Sequence, residues 1–466
     1  MSFISLKFAV FFILLLLVMV ACKDVKKQKL VLLTFSYIFY ALGDWRFLFL
    51  LIFVSISMWF IGRKISEARW NPKACLIAGV VLDVVVLGVF KYFNFFAGSF
   101  AAAIGRTYTE LNIVLPLGIS FYIFQSISYI ADVYNKKIEA EDSLLDVLLY
   151  IGFFPQIVSG PIVKAHYFLP QLKKSHSITW TSLNEGLQLF LLGLFKKVVI
   201  ADRVAVCVDA VYAAPNAYSS LSVLFAVLAY ALQIYCDFSG YSDMAIGVAT
   251  VLGFDLGKNF NLPYLAKNPS DFWRRWHISL SSWFRDYVYF PLGGSRKGKA
   301  QTYLNLFITM LLSGLWHGAS WGFIIWGVAH AALSVIHKMF CDIKKKIGFS
   351  GEGSIIANAF AVLLNYICVA TLWIIFRTNS VPQTLKILKR IFACAHGINY
   401  LNIYVIIYLL LLIAVEIYAM VKNDWNNPFK PLDLGKFWNK VVIICFVVII
   451  IVFSYVGDTA FIYAKF

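Results

Sequence analysis

A histidine stands where the chain should hold no ionisable group. From Gln301 to His337 there are 37 residues without one Asp, Glu, Lys or Arg, and Trp316-His317-Gly318 lies near the centre of that run. A helix rising about 1.5 Å per residue would stretch the run to roughly 55 Å, against a hydrocarbon core of about 30 Å. One straight span cannot hold it, and Gly318-Ala319-Ser320-Trp321-Gly322 is the natural break. An imidazole beside a helix interruption at membrane depth is costly and by default marks function. It can take the proton of a hydroxyl as that hydroxyl attacks an acyl carbonyl. Burial without a partner would keep the ring neutral, the form a base needs. The alternative is a buried histidine bonded to a carbonyl and serving packing alone. Gly314 and Gly318 allow close backbone approach, while His330 and His337, 13 and 20 residues further on, read as structural.

His277 is the second candidate, within Trp273-Arg274-Arg275-Trp276-His277-Ile278-Ser279, with Asp271 six residues back. Arg274, Arg275 and Arg285 suit either the phosphates of an activated donor or lipid headgroups. A third segment, Tyr235-Cys236-Asp237-Phe238-Ser239-Gly240-Tyr241-Ser242-Asp243, sets two carboxylates about a glycine. Too few oxygen or nitrogen ligands lie nearby for a metal, so a polar turn holding a broken helix, or orienting a catalytic group, is expected. Phe154–Pro161 and Pro116–Phe121 read as bent or re-entrant segments, tolerated in a membrane only where protein or a cavity surrounds them. No P-loop, dinucleotide glycine fingerprint, HExxH or GxSxG is present.

These residues must be positioned by membrane helices. The chain of 466 residues is 61% hydrophobic and 14% charged, where soluble domains carry about a quarter charged residues. Apolar runs predict about 11–13 membrane-embedded segments in an all-α polytopic protein, read as one domain over 1–466. Residues 30–43 and 47–62 predict a hairpin turning at Gly43-Asp44-Trp45. Only Lys7 precedes the apolar run 8–22 whereas four lysines follow it, the reverse of a secretory signal, so 1–22 reads as a retained span with its N-terminus outside. The net charge of +17 sits in short loops between apolar runs, the positive-inside pattern, which argues against nucleic acid as a partner. Eight scattered cysteines indicate neither a disulfide framework nor a metal site. The stretch 255–300 has eight cations against three aspartates, a net of +5, and should face the cytoplasm. Its Trp, Tyr and Phe residues predict one or two interfacial amphipathic helices over 271–290, started by Asn268-Pro269-Ser270-Asp271 and ended by Pro291-Leu292-Gly293-Gly294.

Four motifs together resemble the membrane-bound O-acyltransferase family. They are Trp276-His277-Ile278-Ser279-Leu280, Trp283-Phe284-Arg285-Asp286-Tyr287 through Gly294, Gly314-Leu315-Trp316-His317-Gly318, and the Asp237–Asp243 segment. Phe154–Pro161 and Phe461-Ile462-Tyr463 add to the likeness, which covers nearly the whole chain and is nearest the bacterial branch of alginate O-acetylation and teichoic acid D-alanylation. The resemblance implies helices ringing a funnel, with His317 at its base as the catalytic residue and His277 nearer the cytoplasmic opening. An activated acyl group would arrive from the cytoplasm and an acceptor hydroxyl from outside. The ending Ala464-Lys465-Phe466 departs from the expected aromatic-and-Gln ending, which puts the docking of an extracytoplasmic partner there in doubt.

The expectation is therefore an acyltransferase, acetyl by preference, in the inner membrane of a bacterium and acting on a cell-surface glycan. His317 is the base. His277, Arg274, Arg275, Arg285, Asp237, Ser239, Asp243 and Trp316 position the donor or the acyl group. No tightly bound cofactor is expected; the donor is acetyl-coenzyme A or an acyl carrier thioester, and a secreted SGNH-type acyltransferase is the expected partner beside membrane lipid. The rivals are D-alanyl or peptidoglycan acyl transfer, a transporter or flippase for a glycan intermediate, and an accessory subunit without chemistry of its own.

Overall fold

The computed structural model describes residues 1–67, 69–346, 354–422, 431–455, 457 and 461. Among the described residues the regular structure is helical, with one isolated bridge between Tyr218 and Ile398. Among the described residues, Val25–Ser66, Pro72–Ala103, Ser220–Val251, Trp321–Lys344 and Ile355–Thr378 are long and apolar enough to cross a bilayer, with shorter apolar helices at Leu6–Ala21, Ile403–Val415 and Phe437–Phe453. The 42-residue stretch Val25–Ser66 is two helices, because Asp44 turns extended (φ −158°, ψ 109°) and its carboxylate accepts from the Arg46 N–H. This is the break expected at Gly43-Asp44-Trp45.

The chain divides into two compact bodies, residues 1–192 with 241–257 and residues 193–240 with 258–466. In the first, Ile119–Tyr134 is the central helix, buried from Ile119 to Val133 and packed on Leu48–Ser66, Pro72–Leu87, Leu144–Gly152 and Ala165–Leu172. A helix buried all round must satisfy its polar groups internally. Ser126 bonds the Asp83 carboxylate, Ser128 pairs with the Tyr150 hydroxyl at 2.7 Å, and Asp132 meets His166 Nδ1 at 2.7 Å and Lys137 Nζ at 3.1 Å. The two bent segments touch each other. Gly118 (φ 69°) lies against the Ile157 carbonyl, leaving no room for a Cβ, and the Phe154–Ile157 turn follows Phe153 at ψ 114°.

The second body is built on an antiparallel hairpin, Lys299–His317 and Trp321–Lys346. The 301–337 run thus breaks within 318–320, as its length demanded. The helices cross backbone to backbone: a Cβ on Gly314 would stand 2.8 Å from the Gly327 Cα. At one end of the hairpin Asp342 accepts from the Tyr303 hydroxyl at 2.9 Å and pairs with Lys299 at 3.5 Å. At the other, Gly322 abuts Asn379, and Trp326 packs on Trp373 and Phe376 at 5.8 and 5.2 Å, so Ile355–Thr378 runs antiparallel to Trp321–Lys346. Lys299 and Lys344 therefore share one face, and His317, Gly322 and Asn379 lie towards the other.

One expectation is corrected. Asp237 to Asp243 is no turn in a broken helix but the interior of the continuous helix Ser220–Val251. Gly240 is there for close packing: a Cβ would come 2.7 Å from the Gly193 carbonyl oxygen and 3.2 Å from the Lys197 backbone nitrogen.

Candidate active site

His317 is the last residue of its helix, and Gly318 beyond it is extended (φ −174°, ψ 158°). The 19-residue helix rises roughly 28 Å, which carries the imidazole to the end of the hairpin remote from the basic Arg296–Lys299 loop. The ring is 2% exposed and boxed by aromatic edges: Trp316 at 5.0 Å, Trp326 at 5.0 Å and Phe376 at 5.3 Å, all nearly perpendicular. Such walls exclude water while leaving a polar group's strength undiluted. His330, read as structural, packs on Trp273 and Trp326 in the helix interior.

His277 arrives from a different element. The helix Pro269–Arg275 opens as expected: the Asn268 side chain accepts from the Asp271 N–H at 2.9 Å, with proline in the first turn. It closes after Arg275, and His277 itself takes the left-handed conformation (φ 42°, ψ 56°) before Ile278–Phe284 begins. The expected flat interfacial helices are thus two short ones with a strained corner between them. Their aromatic side chains turn inward: Trp276 is fully buried against Phe260, Phe272 and Trp373 at 5.1, 5.7 and 4.9 Å.

The corner is held by residues that sequence reasoning missed. Ile278 N–H donates to the Asn259 carbonyl at 2.8 Å, and Asn261 N–H to the Arg275 carbonyl at 2.9 Å. The Asn259 side-chain oxygen accepts from Ser279 N–H at 3.2 Å and the Ser279 hydroxyl at 2.9 Å, and lies 3.1 Å from His277 Nδ1. An amide atom that accepts from a backbone N–H must be the oxygen, so Nδ1 carries the proton and Nε2 keeps its lone pair. Burial pushes the imidazole down to about 3, which keeps it neutral. The sign follows: an unfolded histidine takes its proton near 6.5, so stability is lost as pH falls from there towards 3.

Trp316 joins the two histidines. Its ring centroid lies 5.0 Å from His317 and 5.9 Å from His277, and Phe238 closes on His277 from the opposite helix at 4.7 Å. The other candidates are not gathered here. Arg275 is engaged by Asp271 at 2.9 Å and Arg285 by its neighbour Asp286 at 2.8 Å, while Arg274 is exposed and available. Asp271 thereby serves Arg275 and not His277. Asp237 pairs with buried Lys197 at 2.6 Å, which also meets Asp202 at 2.8 Å and lies under the Phe461 ring at 4.3 Å. Ser239 is fully buried on the same helix, and Asp243 belongs to the first body. Ile462 and Tyr463 of the terminal motif lie outside the described residues.

A buried imidazole walled by aromatic rings, with a second, tautomer-fixed imidazole across a shared indole, suits proton transfer. Comparison with known proteins points the same way. Residues 139–377 match the sequence model of the membrane-bound O-acyltransferase family. The chain is 41% identical to "Probable alginate O-acetylase AlgI" of Pseudomonas syringae pv. tomato, over 76% of this chain and 68% of that protein. It is 35% identical to a peptidoglycan O-acetyltransferase of Helicobacter pylori, over 78% and 73%. It is 32% identical to a teichoic acid D-alanyltransferase of Bacillus subtilis, over 50% and 62%. A family match across half the chain, and relatives aligned across most of it, make this membrane protein an acyltransferase belonging to the membrane-bound O-acyltransferase family.

Proposed function

We propose that the chain transfers an acetyl group from a cytoplasmic thioester to a hydroxyl presented on the far face of a bacterial inner membrane, for O-acetylation of a cell-surface polysaccharide. The observation that supports this best is the pairing of His317 and His277 about Trp316, with His317 at the end of its helix away from the basic loops. The names of the relatives favour an acetyl group and a glycan.

In this reading the acceptor hydroxyl gives its proton to His317 as its oxygen attacks the thioester carbonyl. The tetrahedral intermediate collapses, the carbon–sulfur bond breaks, and the leaving thiolate takes the proton back, so atoms and charge balance without metal or redox cofactor. The lone pair on His277 Nε2 cannot donate to an oxyanion. Its part is to accept a hydrogen bond from the acceptor or donor and so fix its approach. Arg274, exposed beside His277 in the sequence, would meet a donor phosphate; Asp237 and Ser239 act through the helix that carries Phe238. A secreted SGNH-type acyltransferase would take the group onward.

The test is thiol release. Purified protein given acetyl-coenzyme A and a glycan acceptor should liberate free thiol in step with ester formed. Thiol release only from an acyl carrier protein would move the donor to the D-alanyl-like alternative, and none from either with intact fold would overturn the proposal.

Asn259→Ala tests His277. Losing the oxygen that sets the tautomer and ring angle should cut turnover roughly 10- to 100-fold, with little change in KM for the thioester. An unchanged kcat would remove His277 from the chemistry.

A further inference from the structure

The helix Val381–Phe392 plays no part in the site. It starts just after Thr378 ends one apolar helix and finishes shortly before Ile403 opens another, so it cannot leave the water–lipid boundary. Its sides differ sharply. Ile387 is buried, and Leu388 and Ile391 pack with it on the cluster of Val211, Val223 and Ile374. The next stripe round, Val381, Leu385 and Phe392, is 39, 50 and 81% exposed, and at about 100° per residue these three fall within an arc of roughly 40°. Lys389 comes next, then Lys386 and Arg390. Residues 378–402 contain no Asp or Glu.

Arg390 is tied down, donating from Nε to the Tyr218 carbonyl at 2.9 Å and from Nη2 to the His396 carbonyl at 2.6 Å. Lys386 and Lys389 are exposed and meet no carboxylate among the described residues. The helix also lies on the unexpected face. Asn379 abuts Gly322, at the end of the hairpin opposite Lys299 and Asp342. Lysine is depleted from the face opposite the basic loops unless something there uses it.

We propose that Val381–Phe392 is seated in the leaflet opposite the basic loops and that Lys386 and Lys389 bind the headgroups of anionic phospholipid. The apolar stripe dips among the acyl chains, and the lysine stems run along it to set their ammonium groups at phosphate level. That stripe is why lipid fits better than a soluble polyanion: a glycan or an acidic protein would leave Val381, Leu385 and Phe392 in water beside it. The proposal is independent of the acyl-transfer reading.

Full-length protein in detergent should melt about 3–5 °C higher with phosphatidylglycerol than with phosphatidylcholine, a shift that measures preferential binding to the folded state. Inorganic phosphate alone should give no shift. Lys386→Gln with Lys389→Gln should lose at least half of the phosphatidylglycerol increment while melting as wild type in phosphatidylcholine. Should the double variant fail to fold, Lys389→Gln alone carries the same comparison. Equal shifts with both lipids, or a full increment in the variant, overturn the proposal. A shift reproduced by phosphate, or by an anionic polysaccharide in place of phosphatidylglycerol, overturns it as well and names a different occupant.

Discussion

His317→Ala should fold as wild type and release thiol from the thioester roughly 10³-fold more slowly, a loss within the range that removal of a positioned general base produces. The size follows from the site's dryness. The imidazole is 2% exposed among Trp316, Trp326 and Phe376, so no bulk water stands ready to replace it. Alanine leaves a cavity at the end of a helix, and its cost to folding is separable by melting the variant in parallel. His317→Gln keeps the bulk and a hydrogen-bonding atom but not the basicity, and should be nearly as slow. A variant that melts normally and still turns over at the wild-type rate would make this a packing histidine and leave the chemistry without a base.

The largest effect on stability is expected at Lys197. Its ammonium is 1% exposed and lies between Asp202 and Asp237, themselves 4% and 2% exposed. Lys197→Met would leave two buried carboxylates facing a thioether, and breaking a buried pair in this way costs about 3–5 kcal/mol. Melting in detergent should show a drop of many degrees. Adding Asp202→Asn and Asp237→Asn to the same protein should recover much of it, because the penalty belongs to uncompensated charge and not to lost packing. If Lys197→Met melts as wild type, the three groups are not holding this helix pair together. Phe238 follows Asp237 on that helix and touches His277, so the destabilised variant should also lose activity in its folded fraction.

What could be seen in the sequence was set by length and charge. A 37-residue run without charge had to break, and only the glycines beside His317 offered a place. Gly314 was legible for the same reason, and Gly327 opposite it completes the crossing. The Asp237–Asp243 segment was misread because its partner is 40 residues upstream. Two aspartates and a glycine look like a turn until Lys197 neutralises one of them and Gly193 explains the glycine. The aromatic residues of 271–290 signalled a membrane boundary by type, yet type cannot distinguish a lipid-facing indole from one buried against Phe272 and Trp373. Asn259 was invisible. It reaches His277 only because that residue adopts a left-handed corner, and no local pattern announces one at a histidine.

The contact between Gly314 and Gly327 has a further consequence. Because main chain rests on main chain one turn before His317, the place of that residue along the hairpin is set by backbone contact as well as by the side chains around it. Trp326 and Phe376, which wall the ring, are side chains outside that backbone contact. Substitutions at those walls would then change the space beside the imidazole more than its place on the hairpin.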